Sequence, residues 1–164
     1  MTTPHVPFTF IFSNIDTSKD SDKLKISLKV LLTSYLNKSG NLKIYIKTTK
    51  NVLIDIDSHI EIEENFDEVL NYVITKFRVK DDCGRILMSV VKNDIDKLLE
   101  PNTFKYNLNV KGESFKEIEN FKPDKTYAFF VNEEVGETRR VCDYELCCLG
   151  ICTRMISLCE NLIN

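Results

Sequence analysis

The sequence predicts a mainly β fold, an antiparallel β-sandwich or barrel with one or two short helices and a C-terminal helix. Three observations carry this expectation. Apolar and polar residues alternate with period 2 in several runs, glycine-bearing turns separate those runs, and helical spacing is scarce before the last sixteen residues.

In chain order, Leu24, Ile26, Leu28 and Val30 alternate with Lys25, Ser27 and Lys29. After "NKSGN" the alternation resumes as Leu42, Ile44 and Ile46 against Lys43, Tyr45 and Lys47, so the pair reads as a hairpin. Next, Val52, Ile54, Ile56, Ile60 and Ile62 share one parity, as one long strand or two broken near Ser58. "NYVITKFRV" and "RILMSVV" flank Gly84 as a further hairpin, although Phe66, Val69, Leu70 and Val73 also fit a short helix. "NDIDKLLE" reads as one or two helical turns capped by Asn93 or Asp94 and stopped before Pro101. From about Leu149, Ile151, Met155, Leu158 and Leu162 recur at helical intervals.

At 164 residues and 43% hydrophobic, the chain can bury a core of its own. No linker or repeat divides it, so the expected organisation is a single domain over residues 1–164. A formal charge of −3 argues against affinity through wholesale phosphate neutralisation. No signal peptide or membrane span is expected, because no window holds roughly 20 apolar residues. The expected location is the cytoplasm, with the six cysteines as thiols.

Five of those cysteines, Cys142, Cys147, Cys148, Cys152 and Cys159, lie in one stretch without a CxxC knuckle, and Cys83 stands apart. Helical spacing puts Cys148, Cys152, Met155 and Cys159 on one stripe, which fits a buried helix face better than zinc or a disulfide. Asp55, Asp57, His59 and Glu61 share a strand face where carboxylates could hold a divalent ion or move protons. Lys43 and Lys47 on the neighbouring strand are expected to pair with them. Lys25, Lys29, Lys43, Lys47 and Tyr45 offer a basic surface, but those carboxylates cancel its field, so nucleic acid is disfavoured as a partner. The chain has no Gly-rich phosphate loop, G-x-S-x-G or HExxH, so no enzyme, cofactor, metal or catalytic residue is assigned.

Phe121-x-Pro123-x-x-x-Tyr127 resembles the tyrosine corner of fibronectin-III sandwiches, in which the phenol bonds back to upstream backbone. By length, thiol content and the stretch "NYVITKFRVKDDCGRILMSVV", the chain resembles the small β-sandwich host-range proteins of poxviruses. A fainter likeness, on Lys29–Leu32, Val79–Arg85 and Val141–Asp143, is to nuclear shuttle proteins of multipartite plant viruses. These likenesses imply a non-enzymatic module that engages a host or cellular protein through its loops. The alternative is a self-assembling virion or nucleic-acid-handling protein.

Overall fold

The computed structural model describes residues 5–115, 121–144 and 146–163. It overturns the sandwich. Helices and strands alternate: β1 (Phe8–Ile15), α1 (Ser21–Thr33), α2 (Tyr35–Lys38), β2 (Leu42–Thr48), β3 (Leu53–Ile56) and α3 (Phe66–Lys76). Then come β4 (Arg78–Lys80), β5 (Ile86–Val91), α4 (Ile95–Leu98), β6 (Phe104–Ser114), β7 (Tyr127–Val131), β8 (Glu137–Arg140) and α5 (Cys148–Ile163). The eight strands form one mixed sheet in the order β4-β5-β3-β2-β1-β7-β6-β8. β2, β1, β7, β6 and β8 run parallel, while β3 and β4 run against their neighbours.

The first correction is α1, where a strand was expected. Leu24, Leu28, Leu31 and Leu32 are buried at i, i+4, i+7 and i+8, while Ile26 is 48% exposed. The apolar residues separated singly by Lys25, Ser27 and Lys29 satisfy period 2, and Leu24 and Leu28 also satisfy period 3.6, so the Leu31-Leu32 pair settles the helix. A helix here also has a topological role, because the parallel strands β1 and β2 need a crossover between them.

Other elements fall closer to their expected places. β2 and β3 pair antiparallel, with Leu42, Ile44, Ile46, Ile54 and Ile56 in one core. The third run ends at Ile56, and Ile60 is buried beyond the turn without belonging to a strand. Helix wins over strand for residues 66–76, where Phe66, Leu70 and Val73 are buried. Only the end of the expected second hairpin remains, β4 with β5 across Gly84 at φ +84°.

The larger core lies on one face of the sheet. Phe8, Phe10 and Phe12 of β1 and Tyr127, Phe129 and Val131 of β7 meet the apolar faces of α1, α2, α3 and α5 there. On the opposite face a smaller cluster of Ile11, Tyr45, Leu53, Ala128 and Phe130 is covered partly by Ile95 and Leu98 of α4. α5 therefore docks against α1 within the helical layer, with Cys152, Met155, Ile156 and Cys159 buried.

Tyr127 accepts a hydrogen bond from the Lys122 N–H at 3.0 Å, and its ring contacts Phe121 with centroids 5.3 Å apart. The tether exists, but on an interior parallel strand, so the fibronectin-III likeness does not extend to the fold. Among the described residues no helix is long and apolar enough to cross a membrane.

Tyr127→Phe should lower the unfolding free energy by about 1 kcal/mol, measured by chemical denaturation, because one partly buried hydrogen bond is lost. Met155→Ala should cost about 2–5 kcal/mol in the same assay, because it empties a fully buried site between α5 and α1.

Candidate active site

In an open sheet with parallel strands, ligands bind outside the carboxyl ends, where the strand order reverses. Here that point lies between β1 and β7. Both strands end in residues with left-handed backbone, Asn14 at φ +54° and Asn132 at φ +67°. Asparagine tolerates this conformation better than most residues. The Asn14 side-chain amide donates to the Asn132 carbonyl at 2.6 Å. Beside it, the fully buried Ser13 hydroxyl donates to Glu133 Oε2 at 2.5 Å, and Lys47 Nζ lies 3.4 Å from Glu133 Oε1. The two strand ends are thus fastened together.

After β7 the chain crosses β6 within residues 132–136 to begin β8 on its far side. So short a crossing must press on the strand beneath. A Cβ at Gly136 (φ +73°) would stand 2.2 Å from the Lys105 carbonyl oxygen, so glycine alone fits. The Asn107 amide donates to the Val135 carbonyl at 3.2 Å and holds the crossing down.

β6 itself buckles. Leu108 and Glu113 both register with Arg139, so residues 109–112 bulge out of the ladder. Between this bulge, the end of β7 and the start of α5 lies a cavity of about 130 Å³. Leu108, Val110, Val141, Leu146 and Ile151 supply apolar walls, and Asn109 and Asn132 supply amides. Cys142 and Tyr144 complete its rim.

Cys142 lines the cavity, and all six cysteines are free. Cys152 and Cys159 are fully buried, which fits the helix-face reading, whereas Cys147 is exposed and Cys148 half-buried. The Cys148 thiol is lowered to about 7, chiefly by hydrogen bonding from Cys152 and then from Ser27, against the opposing effect of burial. Cys152 is pushed up correspondingly, first by its bond to Cys148 and then by burial.

Of the acidic face expected around Asp55, only Asp57 and His59 come together, with Asp57 Oδ2 3.5 Å from His59 Nδ1. Asp55 pairs with Lys43, as expected. Asp57 takes Arg85 Nε at 3.1 Å, and the exposed His59 ring meets Ser58 at 3.1 Å. Glu61 lies exposed beyond the strand, and Lys47 turns to Glu133 instead of this face. Among the described residues no three His, Cys, Asp or Glu side chains converge as metal ligands would.

A family model, EMG1/NEP1 methyltransferase, matches residues 22–160. The chain belongs to the EMG1/NEP1 methyltransferase family. It is 26% identical over 155 residues to the Schizosaccharomyces pombe protein "Ribosomal RNA small subunit methyltransferase mra1", covering 84% of this chain and 43% of that one. It is 30% identical over 109 residues to the Drosophila melanogaster "Ribosomal RNA small subunit methyltransferase NEP1", covering 63% and 43%. The chain thus spans less than half the length of these curated relatives. The crystal structure of Archaeoglobus fulgidus Nep1 bound to S-adenosylhomocysteine shares the fold at a TM-score of 0.76 and 12% identity, over 96% of this chain and 98% of that one.

EMG1/NEP1 membership replaces the poxviral and plant-virus likenesses, whose shared stretches are short and carry no chemistry. It overturns the non-enzymatic host-binding module, its self-assembling viral alternative and the exclusion of an enzyme. The expected host-protein partner, with nucleic acid disfavoured, falls as well, since the relatives are named for ribosomal RNA. The site residues Leu108, Asn132 and Leu146 escaped the sequence reading because no spacing joins them, and a strand bulge, a crossing and a helix start are invisible as motifs.

Two outcomes test this geometry. Asn132→Gly should leave stability nearly unchanged, while Asn132→Val should lower it by about 1–2 kcal/mol, read from the denaturation midpoint. Iodoacetamide should alkylate Cys148 with a midpoint near pH 7, because the thiolate is the reacting form and its pKa is depressed. Cys152→Ala should move that midpoint upward by removing the donor, as followed by peptide mass spectrometry.

Proposed function

We propose that this protein is an S-adenosylmethionine-dependent methyltransferase acting on small-subunit ribosomal RNA, with the cavity beneath the β7–β8 crossing as its cofactor crevice. The carrying observation is the position of that cavity, at the β6 bulge and the carboxyl end of β7 beside the reversal of strand order, in a chain of this family. The fold shared with a protein crystallised with S-adenosylhomocysteine supports the reading.

The lining suits an adenosine-bearing ligand. Leu108, Val110, Leu146 and Ile151 offer apolar surface to a flat purine, and the Asn109 and Asn132 amides offer both donors and acceptors to its edge. When bound, S-adenosylmethionine would be held by the Leu108, Val110, Leu146 and Ile151 walls and the Asn109 and Asn132 amides, and would supply an electrophilic methyl group to an RNA nucleophile. The protein's part is placement and exclusion of water. The Asn14–Asn132 bond holds the crevice floor, Gly136 lets the crossing lie flat on β6, and the apolar walls lower the local dielectric.

Isothermal titration should show one equivalent of S-adenosylhomocysteine bound by the wild-type protein. Ile151→Trp, which fills the crevice, should abolish that heat while the protein remains folded by circular dichroism. Methyl-labelled cofactor should transfer label to small-subunit ribosomal RNA with the wild type alone. Absence of both binding and transfer in the wild type would refute the assignment.

A further inference from the structure

Among the described residues, five that are not glycine adopt left-handed backbone, and four of those are asparagine. The exception is Phe77, at φ +71°. It follows the last turn of α3, where its N–H donates to the Val73 carbonyl at 2.7 Å. Glycine or asparagine usually takes such a position, because a larger side chain crowds the following carbonyl. Burial does not offset the strain, since the ring is 60% exposed and belongs to neither core. A strained aromatic residue kept in solvent serves something other than packing.

Phe77 leads directly into β4, the strand at one edge of the sheet. The Phe77 carbonyl accepts from the Val90 N–H, and the Asp81 N–H donates to the Arg85 carbonyl, so these positions face β5. Arg78 and Lys80 alternate with them and turn their backbone groups outward, where no described strand pairs with them. On the α3 side of this edge, Val69, Tyr72 and Val79 line a shallow apolar pocket of about 300 Å³, with Glu68 at its rim.

We propose that β4 is a docking edge for an acidic, extended segment of another protein, which adds as a further strand and uses Phe77 as its anchor. Side chains of an added strand alternate between the two faces of the sheet. Those on the Val79 face meet the apolar pocket and must be apolar. Those on the other face meet Arg78 and Lys80 and must be carboxylates. Lys76, Arg78 and Lys80 are exposed, and no ion pair among the described residues engages them. Asp81 is already occupied by the Cys83 and Arg85 N–H groups, each at 2.9 Å.

Basic residues on a short edge also deter pairing of identical chains, because like charges would lie opposite one another. That protection accounts for Arg78 and Lys80 but not for the exposed, strained ring beside them. A nucleic acid could meet the basic groups, yet it lacks the alternating N–H and C=O groups that a strand edge demands. The edge lies at the far end of the sheet from β6 and β7, so docking here does not depend on the cofactor crevice.

The test uses the full chain and a fluorescein-labelled peptide of about ten residues in which valine and glutamate alternate, followed by anisotropy. Two controls carry the same residues in separate blocks, or lysine in place of glutamate. The wild type should bind the alternating peptide and neither control, and added salt should weaken the complex. Phe77→Gly should weaken binding at least about tenfold, as loss of an aromatic anchor does, while raising the denaturation midpoint by relieving strain. Joint Arg78→Glu and Lys80→Glu substitution should abolish binding of the glutamate peptide. No binding by the wild type, equal binding of the block control, or full affinity in Phe77→Gly would overturn the proposal. A lowered midpoint in Phe77→Gly would do the same, by making the ring part of the fold. Sedimentation showing a dimer that Phe77→Gly breaks would give the edge to a second copy. Failure of the peptide, with single-stranded RNA bound and then lost in the double variant, would give it to nucleic acid.

Discussion

Parallel pairing of β1 with β7 at the middle of the sheet is the constraint on which the rest of the architecture depends. A parallel strand in this position is covered on both faces, so each residue along it must tolerate burial. β7 meets the requirement with Tyr-Ala-Phe-Phe-Val, buried throughout, and β1 with three phenylalanines on one face and Thr9, Ile11 and Ser13 on the other. The Phe8 and Phe10 rings both lie against Phe129, with centroid separations of 6.2 and 5.4 Å. Their bulk sets where the helices must sit. α1, α3 and α5 all close over this aromatic floor, and neither of the last two contributes more than one side to the core.

From that pairing the site follows. Because β7 lies between β1 and β6, the chain can reach β8 only by crossing β6, and it does so within five residues. The crossing forces left-handed backbone at Asn132 and a glycine at 136, and the bulge in β6 opens space beside it. The geometry that strains the backbone also makes the cavity. Short polar links, Asn14 to Asn132 and Ser13 to Glu133, hold the strained segment in place without filling the space above it.

The sequence reading failed most instructively at α1. Leu24, Ile26, Leu28 and Val30 alternate so regularly that a strand is the natural reading, yet the exposed Ile26 shows that alternation there is coincidental. Continuing the window to Leu31 and Leu32 discriminates the two periods, because no half-buried strand places adjacent leucines in one core. Reading a strand there removed the only crossover between β1 and β2, and with it any reason to consider a parallel sheet. The adjacency of β2 and β3, the turn at Gly84 and the terminal helix depend on local spacing alone and were visible, whereas spacing over residues 66–76 fitted helix and strand alike.

Local chemistry written in the sequence determined which residues are apolar on β2 and β3, where α5 begins, and that Tyr127 would tie back to the backbone before Pro123. Such features need only neighbours within a few residues, so their signals survive in one dimension. Tertiary structure alone decided that β7 inserts between β1 and β6, that β6 buckles at 109–112, and that Asn132, Leu108 and Leu146 meet around one cavity. Those contacts join segments far apart in the chain. Strand order and parallel register are set by whole-core packing, which imposes no recurring spacing on the residues that line the site.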